Sequence, residues 1–110
     1  MLMALGGKIV QAIDTWLKAH PKAVVISVAA MTAPDGTPPV DATFIWVVDG
    51  EDFLNVDLVR QGLLSPESQV NVEKEKLKVS TSDYSAFSKR VVDAGQQAKE
   101  QKRGIWMDLP

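Results

Sequence analysis

Cysteine is missing from this chain, and histidine and tyrosine occur once each. The absence of thiols excludes disulfides and thiolate metal sites, and is compatible with a reducing compartment such as the cytoplasm. A long apolar run is missing too. The opening Met1–Leu5 is apolar but short, and lacks the basic start of a signal peptide. Nothing later is long enough to span a bilayer, so no membrane association is expected. Positive charge is also short. Residues 1–60 carry four Lys/Arg against seven Asp/Glu, and residues 61–110 eight against seven, for a net charge of −2. A protein that neutralises many phosphates carries a basic excess, so nucleic acid starts as a disfavoured partner.

What is there reads as one soluble globular domain. The 110 residues are 45% hydrophobic and 24% charged, enough for a single core. Pro and Gly concentrate in Thr32–Pro39, a loop by its turn chemistry. Residues 8–19 show helical spacing, with Ile9, Ile13, Trp16, Leu17 and His20 on one stripe, Gly6-Gly7 before them and His20-Pro21 as the stop. Residues 22–31 alternate as a strand, with Val24, Ile26 and Val28 on one face and Val25, Ser27 and Ala29 on the other. Ala42–Val48 is a second strand, apolar on both faces and so central, and Asp49-Gly50 turns the chain.

Asn55 is placed to cap a short helix over Val56–Leu63 that stops near Gly62. Ser-Pro-Glu at 65–67 predicts a short helix or turn near 66–71, and the Leu77/Val79 alternation predicts a third strand near 74–80. From Ser82 to about Arg103, Tyr84, Phe87, Val91, Ala94 and Ala98 recur at helical spacing, and Gly104 stands where a helix-ending glycine belongs. The class is α+β. Three strands leave an open sheet edge, a template for pairing with another chain.

The order of these pieces resembles the later part of a staphylococcal nuclease-like (thermonuclease) domain. The similar residues are Asp49 and Gly50 at a strand end; Asn55, Leu58, Val59, Gly62 and Leu63 around the short helix; Ala94 and Ala98 in the long one; and the closing Gly104, Ile105 and Trp106. The resemblance implies an OB-fold-related architecture. Here it would be an incomplete barrel of about three strands, with two short helices and a long C-terminal helix. Residues 1–110 would be a single domain lacking the family's first three strands, which carry most of its chemistry. The family's second phosphate-binding arginine falls at Asp41, a charge of the wrong sign. The stretch from Leu63 to Tyr84 is longer than the family's usual connection. No catalytic residue of the family carries over, and Ca²⁺ is expected only if the chain is part of a complete nuclease.

Individual residues point the same way. Asp35, Asp41, Asp49, Glu51, Asp52 and Asp57 follow no metal-ligand spacing and read as turn acids, so no metal site is expected. His20 lacks a recognisable orienting partner, and Ser65, Ser82, Ser85 and Ser88 lack a nucleophile's context. Trp16 and Trp46 read as core, and Ile105 with Trp106 as apolar anchors. Phe44, Trp46 and Val48 could alternatively line a stacking groove, which with Lys74, Lys76 and Lys78 gives the weaker nucleic-acid candidate. The expected function is a non-catalytic nuclease-like module that binds a protein partner or pairs with itself through the open edge. The alternative is a fragment of a Ca²⁺-dependent nuclease whose catalytic strands are missing.

Overall fold

A computed structural model describes residues 2–31 and 42–107. The loop Thr32–Pro39, with Asp35, and the charge at Asp41 lie outside the described residues. Helix α1 spans Leu2–Ala19, strand β1 Val24–Met31 and strand β2 Ala42–Asp49. Strand β3 is only Asp52–Phe53 and runs into helix α2, Leu54–Arg60. Two 3₁₀ turns follow at Pro66–Gln69 and Lys74–Lys76, then helix α3 at Thr81–Glu100 and a last 3₁₀ turn at Gly104–Trp106. The architecture is α+β: an open antiparallel sheet ordered β1-β2-β3, with three helices.

α1 reaches back through Gly6-Gly7 instead of starting after them. Leu2, Met3, Ala4 and Leu5 are strong helix formers, which outweighs two glycines. Trp16 is buried, whereas Leu17, expected on the same stripe, is 44% exposed. β2 is the central strand, as its two apolar faces require. Trp46 and Val48 join Val28, Val56, Val59, Phe87, Val91 and Ala94 on the α3 side. On the other side Val47 packs against Trp16, Leu54, Leu58 and Leu63 beneath α1. α2 is therefore a wedge that contributes to both cores.

The third strand is not where the Leu77/Val79 alternation put it. Residues 74–76 coil into a 3₁₀ turn, and only one bridge, Ala29 with Leu77, survives. Lys76 N–H bonds to Glu73 O at 3.0 Å and Leu77 N–H to Lys74 O at 3.3 Å. A run of alternating charges has no apolar face to hold it flat, so local bonds win. On the facing strand a bulge between Ser27 and Ala29 interrupts the register, which also limits pairing. The same bulge breaks the expected alternation: Val28 and Ala29, neighbours in sequence, are both fully buried. The real third strand comes from the hairpin turn, where Gly50 adopts φ +61° and Asp49 pairs with Asp52.

Asn55 does not cap α2. The helix starts two residues earlier, at Leu54, with Phe53 at the cap position and no side-chain cap. Asn55 instead reaches across to β2. Its Oδ1 accepts from Val47 N–H at 3.1 Å, and its Nδ2 donates to Ile45 O and to Gln69 Oε1, both at 3.0 Å. β3 is too short to pair with these β2 groups, and one side-chain amide takes its place. Asn55→Ala leaves a backbone donor and acceptor of the central strand without partners. It is expected to cost about 3 kcal/mol, read as a lower urea midpoint.

Both α2 and α3 end in the same way. Gly62 N–H bonds to Val59 O and Leu63 N–H to Leu58 O, each at 2.9 Å, with Gly62 at φ +73°. Lys102 N–H bonds to Lys99 O at 3.1 Å and Arg103 N–H to Ala98 O at 2.9 Å, with Lys102 at φ +53°. This is the paired hydrogen-bond pattern of a Schellman ending. A lysine therefore occupies the left-handed position in α3, and Gly104, expected there, lies two residues further on. Gly104 has a different task. A Cβ on it would lie 2.1 Å from Gly62 O, and a Cβ on Gly62 would lie 2.1 Å from Arg103 O. Ile105 N–H closes the contact by bonding to Gly62 O at 2.8 Å. Lys102→Gly relieves the left-handed cost and is expected to stabilise the fold by about 1 kcal/mol. Gly104→Ala adds that cost to a backbone overlap and should lose about 3 kcal/mol. Urea titration of the pair checks the opposite signs, and a stabilising Gly104→Ala would contradict the close contact.

Candidate functional site

Among the described residues β1 has a sheet neighbour on one side only. On its outer side, Lys78 N–H donates to Val28 O at 2.7 Å and Leu77 bridges Ala29. Residues 24–27 have no backbone partner there among the described residues. Two aliphatic side chains stand at this open stretch, Val24 at 55% exposure and Val25 at 63%. Val24 lies opposite Val48 and Ile26 opposite Trp46, so both share the α3 face, while Val25 lies opposite Val47 on the α1 face.

Beside the open stretch, on the α3 face, is a cleft of about 270 Å³. Ile26, Trp46, Val48, Phe53 and Phe87 give it apolar walls, and Asp83 and Arg90 add polar ones. Its aromatic walls touch each other, with ring centroids 4.8 Å apart for Trp46 and Phe87, 5.4 Å for Trp46 and Phe53, and 5.5 Å for Phe53 and Phe87. The Arg90 guanidinium sits 5.0 Å over the Phe53 ring. Such a cluster is rigid and apolar, which suits it to hold one aliphatic or aromatic group.

Trp46, weighed as a base-stacking residue, is 4% exposed and offers no face for a base. Its indole belongs to the core, and Nε1 has no acceptor among the described residues. Lys74, Lys76 and Lys78 are exposed around the 3₁₀ turn, with Lys76 Nζ 3.7 Å from Glu73. Lys78 and Lys22, both exposed, flank the open stretch of β1 at its two ends, and neither pairs with a carboxylate among the described residues.

The residues of the nuclease-like pattern sit mainly inside the fold. All of Leu58, Val59, Leu63, Ala94 and Ala98 are buried, Val59 and Ala94 in the core on the α3 side and Leu58 and Leu63 in the core beneath α1. Gly62 and Gly104 form the backbone contact, and Asp49-Gly50 starts the hairpin. Ile105 is 41% exposed and does not anchor the chain end. Trp106 is half-buried, with Lys99 Nζ 5.8 Å over its ring, and is the member of the expected pair of anchors that packs.

His20 has partners that the sequence did not reveal. Its ring stacks on Trp16 at 3.9 Å, its Nδ1 is 2.8 Å from Trp16 O, and its Nε2 is 3.5 Å from the Asp52 carboxylate. Trp16 Nε1 donates to Asp57 Oδ2 at 2.8 Å, and Asp57 also pairs with Arg60. These contacts fasten α1 to β3 and α2. The serine hydroxyls are engaged locally: Ser65 Oγ accepts from Ser68 N–H at 3.3 Å, and Ser88 Oγ donates to Tyr84 O at 2.9 Å. Among the described residues no three His, Asp or Glu side chains converge as metal ligands, and no helix is long and apolar enough to cross a membrane. Comparison with protein families, with curated proteins and with solved structures finds no match.

The open edge has a direct solution signature. In native-state hydrogen exchange the β2 amides should be protected to near the global stability. Outward-pointing amides within residues 24–27 should exchange at least about a hundredfold faster. Uniform protection along β1 would mean that this edge is already paired in solution.

Proposed function

We propose that this chain is a non-catalytic, staphylococcal nuclease-like module that acts by binding a protein strand, from a partner or from a second copy. The observation that carries the reading is the unpaired stretch 24–27 of β1, with Val24 and Val25 exposed beside an aromatic-walled cleft. Strand addition uses the backbone groups of such an edge for affinity and pockets beside it for selectivity. The order of helix, strand, strand, short helix and long helix supports the nuclease-like part of the reading. So do the close packing of Gly62 on Gly104 and the small Ala94 and Ala98 between α2 and α3. The net charge of −2 favours protein over nucleic acid as the partner.

The test combines self-association with selection. Displayed extended peptides are panned against the full chain, and those that bind are mapped by amide exchange. The chain's own mass is followed by light scattering over a wide concentration range. New protection at residues 24–27, by a selected peptide or by self-association, supports the reading. A monomeric chain with no edge binder overturns it. Hydrolysis of single-stranded DNA with Ca²⁺ would put the nuclease reading in its place.

A further inference from the structure

We propose that the occupant of the β1 edge is an extended segment of another protein with carboxylates at both ends and one large aliphatic or aromatic residue between them. This rests on the strand-binding reading and deepens it by naming the partner's chemistry.

Three independent features point to that segment. First, the unpaired backbone is short. It begins at Val24, the start of β1, and ends at Val28, whose carbonyl is taken by Lys78 N–H. A docked strand therefore gains only a few backbone bonds, and side chains must supply the rest of the affinity. Second, a strand beside β1 alternates its side chains between two faces, as β1 does. Those on the α3 face run next to Val24 and Ile26, at the mouth of the cleft of about 270 Å³. A single Leu-, Ile- or Phe-sized group suits that mouth against the half-buried Ile26 and Phe53, with the buried Trp46 and Phe87 rings behind them. A buried anchor of this kind dominates the energetics of small interfaces. Side chains on the other face cover Val25 and need only be small, as threonine is.

Third, the ends of the stretch are positive. Lys22 lies just before β1 and Lys78 beside Val28, both exposed and without an ion-pair partner among the described residues. Lys76 lies near Lys78 but already meets Glu73, so the end charges are carried by Lys22 and Lys78. This charge pattern also selects against a second copy. Antiparallel pairing of β1 with itself brings Lys22 of one copy toward Lys78 of the other, setting like charges at both ends. Acidic ends on a foreign strand meet attraction at the same two places.

The test uses the full chain and two blocked synthetic heptapeptides, Glu-Val-Thr-Leu-Thr-Val-Glu and the same core with lysine at both ends. Binding is followed by amide chemical shifts. The glutamate-flanked peptide should perturb residues 24–27 and bind about tenfold tighter than the lysine-flanked one at low salt, a gap that narrows as salt rises. Replacing its central Leu by Ala should weaken binding by about tenfold. Reversal by Lys22→Glu with Lys78→Glu, both at exposed positions, should invert the preference. Equal binding of both peptides, perturbations away from β1, or no binding by either overturns the inference. Strand binders selected by panning that lack acidic ends, or self-pairing through β1, would overturn it too while leaving the strand-binding reading in place. That broader reading falls only if panning and self-association both fail.

Discussion

β2 is buried on both faces but has a full partner strand on only one side. β3 covers just Val48 and Asp49, so the next backbone groups of β2 would face the interior of α2 with nothing to bond. The Asn55 side chain resolves this. Its carbonyl and amino groups copy the donor and acceptor of a neighbouring strand residue, and the remaining amide hydrogen passes the connection to Gln69. Gln69 is 7% exposed, the one buried polar residue among those described, and its backbone carbonyl accepts from the Tyr84 hydroxyl at 3.4 Å. Tyr84 in turn accepts from Val72 N–H at 3.3 Å. One polar chain thus runs from the central strand through α2 and the 66–69 turn to α3. Buried networks of this sort are costly when partly satisfied and specifying when complete. Here it determines how deeply α2 wedges between the two cores.

The parts of the fold that depend on side-chain period were legible in the sequence. Residues 22–31 alternated as a strand does, Ala42–Val48 was a short apolar run closed by a turn pair, and the Phe87, Val91, Ala94, Ala98 series had the period of a helix. The parts that depend on which backbone group meets which were not. Asn55 looks like a helix cap because asparagine before an apolar run normally is one. Only the shortness of β3 turns it toward β2. Residues 74–80 look like a strand because Leu77 and Val79 alternate, yet the bulge at Val28 leaves room for a single bridge. Lys102 carries no sign of a left-handed backbone, since glycine is the residue that advertises one.

The site shows the same division. Three strands implied an open edge, but its location needed the bulge and the Lys78 contact to be seen. The neighbouring cleft arises where β1, β3 and α3 diverge around Trp46, a geometry that no motif encodes. Trp46 had been weighed both as core and as a stacking surface, and the core location makes it a wall instead of a platform. The lysines of the weaker nucleic-acid candidate also acquire a different context. Lys78 is placed beside the open edge of β1, and a lysine in that position discourages indiscriminate edge-to-edge aggregation. Under the proposed strand-binding reading, the same charge would favour a strand of the opposite sign.

The contact between Gly62 and Gly104 has a consequence for how this sequence can drift. Gly62 ends α2 and Gly104 opens the turn after α3, far apart along the chain, yet a Cβ on Gly62 would meet Arg103 O and one on Gly104 would meet Gly62 O. A methyl group at either position meets peptide atoms that cannot swing aside. Substituting both at once does not help, because each new methyl still collides with the opposite backbone. The positions therefore lack compensating partners, and mutational walks through functional descendants of this chain should treat them as fixed points.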